Sequence, residues 1–223
     1  MSASRIIAIG DIHGCARALA ALLQAIDPQP DDIMIPLGDV IDRGRDSRGA
    51  LEQLLALRSR CKLIPLIGNH EDMFLGAYSN SVERRAWLYS GGAPMLDSYG
   101  SASLDAIPAE HIAFIRSFRP YYETESHIFL HANYLADLPL AEQPPGMLYW
   151  EPLQRRTPGP HCSGKTVIVG HSSQPENEVL DLGYLKCLET NCVAGGWLTA
   201  FDAASGRLWQ ADKQGRLRRQ GAR

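Results

Sequence analysis

Residues 5–26 read RIIAIGDIHGCARALAALLQAI. RIIAIG at 5–10 is a short apolar run closed by Gly10, the pattern of a buried strand. CARALAALLQAI at 15–26 repeats Ala and Leu at helical spacing and predicts an amphipathic helix. Working outward, the same alternation recurs. DIMIPL at 32–37 predicts a second strand, and 47–59 a second helix with Leu51, Leu54, Leu55 and Leu57 near one side. KLIPLI at 62–67 predicts a third strand, weakened by Pro65, which has no N–H for a sheet ladder. Strand–helix–strand–helix–strand is the order of an α/β fold with parallel strands.

Each strand runs into residues that can carry chemistry. In open α/β sheets ligands bind outside the carboxyl ends of the strands, so the loops 10–14, 38–44 and 68–71 should converge. The first loop offers Asp11 and His13, which in extended backbone point to one side. Taken alone, a capped turn before a helix accounts for them equally well. The second offers Asp39, Asp42 and Arg43 behind Gly38, and an ion pair would explain those alone. The third offers Asn69, His70 and Glu71 behind Gly68. The repetition of Gly-Asp and Gly-Asn after successive strands is what favours a site. Oxygen and imidazole donors without thiolate suit Mn²⁺, Fe or Zn²⁺.

Residues 72–119 read as mostly helical, with a break at Gly91–Gly92, a turn near Gly100 and a helix opened by Pro108 and ending near Arg119. Strand signals return at 127–131 (HIFLH) and 166–170 (TVIVG), which place His131 and His171 at strand ends in the same sheet register as the three loops. Between them Pro139, Pro144, Pro145, Pro152, Pro158 and Pro160 predict an irregular surface stretch forming one wall of the site. Strands at 177–182, 184–189, 197–203 and 207–212 close the chain, with AASG at 203–206 turning the last pair into a hairpin. No internal repeat or composition break divides residues 1–223, which predicts a single domain.

The bulk numbers are those of an ordinary globular chain: 223 residues, 45% hydrophobic, 21% charged, net charge −3. They give no reason to expect a nucleic-acid or membrane partner. The basic cluster Lys213, Arg216, Arg218, Arg219 and Arg223 reads as a solvated tail. No apolar run approaches the roughly 20 residues of a membrane span, and the N-terminus lacks signal-peptide architecture. The five scattered cysteines, with no CxxC pair, predict reduced thiols in a cytoplasmic protein.

Taken in order, GDIHG, GDVIDRG, GNHE, the strand-end HAN and GHS resemble the calcineurin-like metallophosphoesterases, and within them the phosphoprotein phosphatase branch. LETNCVAGGWLTAFDAASG is similar to that family's closing segment. The resemblance implies an α/β fold of mixed β-sheets in a sandwich flanked by helices, with two divalent metal ions, Mn²⁺ before Fe or Zn²⁺. It implies that Asp11 and His13 hold one metal with Asp39, and that Asp39 bridges to a second metal held by Asn69, His131 and His171. A carboxylate can bridge cations about 3.5–4 Å apart, and such a pair generates hydroxide near neutral pH. His70 would be the general acid, steadied by Asp42. Arg43 would grip phosphate through its planar fork. A second phosphate arginine normally follows a Trp; LYWEPLQRR puts Trp150 before Arg155 and Arg156, and Arg155 is the candidate. A surface arginine pair explains that stretch equally well.

The resemblance leaves two enzymatic readings. One is a phosphomonoesterase of serine/threonine protein phosphatase type, acting on a phosphorylated protein or small phosphoester. The other is a symmetrical dinucleoside polyphosphate hydrolase, for which Cys15 after GDIHG and a helical insert speak. Trp87, Tyr89 and Tyr99 could then stack on adenine, although aromatics at helical spacing ordinarily pack inside. A binding module without turnover would lack a ligand or the His70–Asp42 pair, and neither is missing. Two positions depart from the family pattern and could alter substrate access: Ala132–Asn133 after the first late histidine, and Glu189-Thr190-Asn191-Cys192 where Asp-Thr-Gly-Cys is usual.

Overall fold

The computed structural model describes residues 4–219, so Arg223 of the basic tail lies outside the described residues. Strand β1 (Ile6–Ile9) pairs in parallel with β2 (Ile33–Pro36), and β2 with β3 (Lys62–Leu63). The strands β9 (Glu189–Thr190), β10 (Trp197–Asp202) and β11 (Leu208–Ala211) complete this first sheet, and β10 runs antiparallel to β1. The second sheet has the order β4-β5-β6-β8-β7, from β4 (Tyr121–Glu123), β5 (His127–Leu130), β6 (Thr166–Val169), β7 (Leu180–Asp181) and β8 (Leu185–Cys187).

Strand alternation builds the layers. Ile7 and Ile9 face the helical side, whereas Ala8 joins Ile35, Leu37, Phe129, Ile168, Leu188 and Phe201 in a core between the sheets. On the second sheet Ile128, Leu130, Val167 and Val169 face outward under Tyr134 and Leu148. Helix α1 (Ala16–Ile26) buries Leu19, Leu22, Leu23 and Ile26 against the first sheet. It stops where Asp27 turns left-handed ahead of Pro28. Helix α2 (Ser47–Leu57) starts at Asp46, whose carboxylate accepts the Gly49 N–H at 2.8 Å.

The helical region breaks into α3 (Asn69–Gly76), α4 (Ser81–Trp87), a segment Leu88–Gly92 kinked at Gly91 (φ 126°), α5 (Ala93–Ser98) and α6 (Ala109–Arg116). Residues 69–71, read above as a loop, are the first turn of α3. The third strand is shorter than 62–67. Pro65 cannot donate, and its carbonyl instead accepts the Arg119 N–H at 2.9 Å, leaving Leu66 in a single bridge to Arg119. The strand predicted at 184–189 divides: after β8 the chain crosses at Leu188 and enters the other sheet as β9. The strand at 177–182 contracts to β7. The proline-rich stretch is irregular except for a 3₁₀ turn at Leu140–Glu142 and α7 (Pro145–Trp150). No helix is long and apolar enough to cross a membrane, and no disulfide occurs among the described residues.

Candidate metal centre

Both sheets deliver residues to one place. Asp11 and His13 follow β1, Asp39 to Arg43 follow β2, and Asn69 to Glu71 follow β3; His131 follows β5 and His171 follows β6. The last two therefore arrive from the second sheet, not from the register of the first. Two triads result, His13–Asp39–His70 and Asp39–His131–His171, each with its ligand atoms within 4.8 Å of one another. Asp39 belongs to both. Asp11 belongs to neither; its two oxygens accept the His171 backbone N–H at 3.0 and 3.1 Å. Strand alternation does not aim Asp11 and His13 together, because His13 turns left-handed at φ 42°.

The loops are held in unusual backbone. His13, Asp39, Asp42, Arg43 and His171 all have positive φ. Such a conformation costs roughly 1–2 kcal/mol per non-glycine residue and clusters where function demands it. Glycine spaces the loops: a Cβ on Gly38 would lie 2.7 Å from His131 Nδ1, and one on Gly68 2.2 Å from Asp39 Oδ1. Glu71 fastens two of them together. Its carboxylate accepts N–H groups of Asp39 and Val40 at 2.8 Å and of Gly68 at 3.0 Å.

The histidine tautomers test whether cations fit. His13 Nδ1 donates to the Ile41 carbonyl (3.0 Å), His131 Nδ1 to Leu37 (2.9 Å) and His171 Nε2 to Trp150 (3.2 Å). Each ring has thereby spent its one N–H on backbone and turns a lone pair inward. His131 Nε2 and His171 Nδ1 both face Asn69 Oδ1, at 3.2 and 3.0 Å, and His13 and His131 each lie 3.5 Å from an Asp39 oxygen. Acceptors facing acceptors are what a cation resolves. Burial pushes His13 down to about 3 and His171 down to about 4, so both are neutral donors at pH 7. Burial raises the Asp39 carboxyl, but His131, His70 and His13 outweigh it and hold it below the usual range. Burial, Glu189 and Asp39 push Asp11 well up, as for a carboxyl lacking a counter-charge.

His70 is arranged differently. Its Nδ1 lies 2.8 Å from Asp42 Oδ2, and its Nε2 is buried with no hydrogen-bond partner among the described residues. The ring meets His13 edge-on at 4.8 Å. Burial lowers the His70 pKa, but the bond to Asp42 together with the charges of Asp39 and Asp42 outweighs this, and the ring sits above its ordinary value. Trp87 Nε1 donates to the same carboxylate, a contact with no signal in local sequence. Arg43 reaches His13 Nε2 with one guanidinium nitrogen at 2.9 Å.

The sequence profile of the calcineurin-like phosphoesterases matches residues 4–185. The chain belongs to that family. This calcineurin-like phosphoesterase is 36% identical over 134 residues to serine/threonine-protein phosphatase 1 of Salmonella typhimurium, covering 57% of this chain and 58% of that one. It is 42% identical over 79 residues to the symmetrical bis(5′-nucleosyl)-tetraphosphatase of Pseudomonas fluorescens, covering 34% of this chain and 26% of the other. The matches thus span about half or less of those relatives. The crystal structure of a cold-active protein-tyrosine phosphatase from a Shewanella species superposes with a TM-score of 0.68, at 16% identity over 97% of this chain and 80% of that one. At that identity the likeness concerns the fold.

The remaining predicted positions fall elsewhere. Arg155 is exposed, its guanidinium 3.8 Å from Glu151. The predicted wall is present, since Ala132 and Asn133 donate to carbonyls of α7 and Trp150 accepts from His171. Asn133 is fully buried and bonds the Tyr134 N–H and the Arg156 carbonyl, so this departure from the family pattern sits behind the rim. Glu189 is also buried, bonded to Ser173 and the Asn191 N–H. Burial raises it to about 7, and its charge adds to the upward push on Asp11. Trp87 is core, Tyr99 packs on His111, and Tyr89, expected inside, is 96% exposed.

Proposed function

We propose that this phosphoesterase hydrolyses phosphate monoesters in the manner of a serine/threonine protein phosphatase. The observation that carries the reading is the free Nε2 of His70, itself a member of one of two triads that share Asp39. Asp11, His13 and Asp39 would hold one divalent cation, and Asp39, Asn69, His131 and His171 a second, with Mn²⁺ the first choice. Bound there, the pair would activate water and neutralise phosphate charge. His70 presents an N–H toward the same space and can deliver a proton to the leaving oxygen. Asp42 keeps that proton on the ring. Arg43 supplies a planar donor pair for phosphate oxygens. Arg155 is the second phosphate contact in this reading, because an exposed pair with Glu151 is weak enough to exchange for a phosphate.

A second reading, symmetrical dinucleoside polyphosphate hydrolysis, is supported by the 42% identity to the Pseudomonas enzyme across 79 residues. Initial rates with Mn²⁺ on a phosphoserine peptide, an aryl phosphate and diadenosine tetraphosphate separate the two. Turnover of the peptide and aryl phosphate is expected. A strong preference for the dinucleotide selects the second reading, and no turnover on any of them overturns both.

A further inference from the structure

A cleft of about 570 Å³ opens beside the metal centre and is ringed by cations. Arg17 comes from the first turn of α1, Arg43 and Arg45 from the segment before α2, and Lys213 from the turn after β11. Among the described residues, Arg17, Arg45 and Lys213 form no ion pair. The one carboxylate in the wall, Asp46, is committed to the Gly49 N–H at the start of α2. The 11-residue helix α1 begins at the cleft and has no acidic residue in its first turn, so its positive end faces the same space. A chain of net charge −3 has thus gathered four cations around one concavity. Unneutralised charge lining a cleft focuses its field and draws anions in.

Arg43 ties the cleft to the site. It lines the cleft and also lies 2.9 Å from His13 Nε2. One guanidinium fork can grip oxygens of two neighbouring phosphoryl groups. We propose that the cleft binds a second phosphoryl group of the same substrate while the first sits at the metal centre. The substrates would then carry at least two phosphates. A phosphate chain and a peptide with two phosphorylated side chains offer this chemistry alike. The proposal rests on the phosphoesterase reading given above.

The test uses the full chain with Mn²⁺ and the double variant Arg17→Ala/Lys213→Ala, with Arg85→Ala on α4 as a control for general charge. The substrates are an aryl phosphate, singly and doubly phosphorylated peptides, and diadenosine tetraphosphate. KM should rise about tenfold, near 1.4 kcal/mol, on the two-phosphate substrate that uses the cleft, with kcat unchanged and the aryl phosphate unaffected. A rise on the dinucleotide identifies a phosphate chain, and a rise on the doubly phosphorylated peptide identifies paired phosphosites. Equal changes on all substrates, or none, overturn the subsite. Inorganic tripolyphosphate titrated into metal-free protein reads the cleft independently of turnover. Binding that the double variant loses and Arg85→Ala keeps supports the subsite even if nothing is hydrolysed. Binding that is absent, or unchanged in the double variant, overturns it.

Discussion

Trp87 Nε1 lies 2.9 Å from Asp42 Oδ2, the oxygen that also lies 2.8 Å from His70 Nδ1. The oxygen has a lone pair for each donor, and the indole, which also reaches Oδ1 at 3.1 Å, fixes the carboxylate's position. Both Asp42 and Trp87 are fully buried, so no water takes over the bond. Trp87→Phe keeps the packing and removes the donor. Leaving a buried charged acceptor short of a partner costs about 1–3 kcal/mol. The variant should unfold at lower urea and lose about tenfold in kcat, a barrier increase near 1.4 kcal/mol, with unchanged bound metal. An unchanged kcat would remove Trp87 from the positioning of His70.

His70→Asn should retain metal and lose turnover in proportion to leaving-group pKa. Aryl phosphates with good leaving groups need little protonation and should be spared relative to phosphoserine peptide, which should fall by roughly 10²–10⁴-fold. A uniform loss across a series of aryl phosphates would contradict the acid role.

Glu71→Gln should loosen the centre from behind. The native carboxylate accepts from Asp39, Val40 and Gly68, and an amide offers one acceptor oxygen in place of two. A stability loss of about 1–3 kcal/mol is expected, with weaker metal retention on dialysis, since Asp39 is the residue these bonds position. Metal retention equal to wild type would show that Asp39 holds its place without them.

Asp32 provides a pH signature away from the centre. Burial raises its carboxyl, but Arg5 and the Gln29 N–H outweigh this and hold it below its ordinary value. A depressed folded-state pKa stabilises the protein above the unfolded value near 3.9, and that stability is lost as pH falls through the folded value. Asp32→Asn should therefore be about 1–3 kcal/mol less stable than wild type at pH 7. The gap should close as pH falls below about 4 in urea titrations. A gap independent of pH would assign the effect to packing.

The sequence revealed the convergence of the loops because Gly-Asp and Gly-Asn recur after apolar runs of matching length. It could not reveal which sheet carries His131 and His171, since HIFLH and TVIVG have the same apolar pattern wherever the strand pairs. Left-handed backbone at His13, Asp39 and Asp42 was invisible because none of them is glycine. Trp87 was legible as core but not as a partner of Asp42, 45 residues away. Tyr89 misled because it follows the buried Trp87 by two residues, which at about 100° per residue puts it on the opposite, outer side of the helix.

Asp39 hangs from one sheet, and His131 and His171 from the other. A cation gripped by all three would rivet the sandwich shut across its seam. Chelation should then cost more than activity. By mass action, an ion present at 100 times its dissociation constant adds about 2.7 kcal/mol to the folded state. The melting temperature should fall on EDTA treatment, and the two halves should lose their shared cooperativity when Asp39 is replaced.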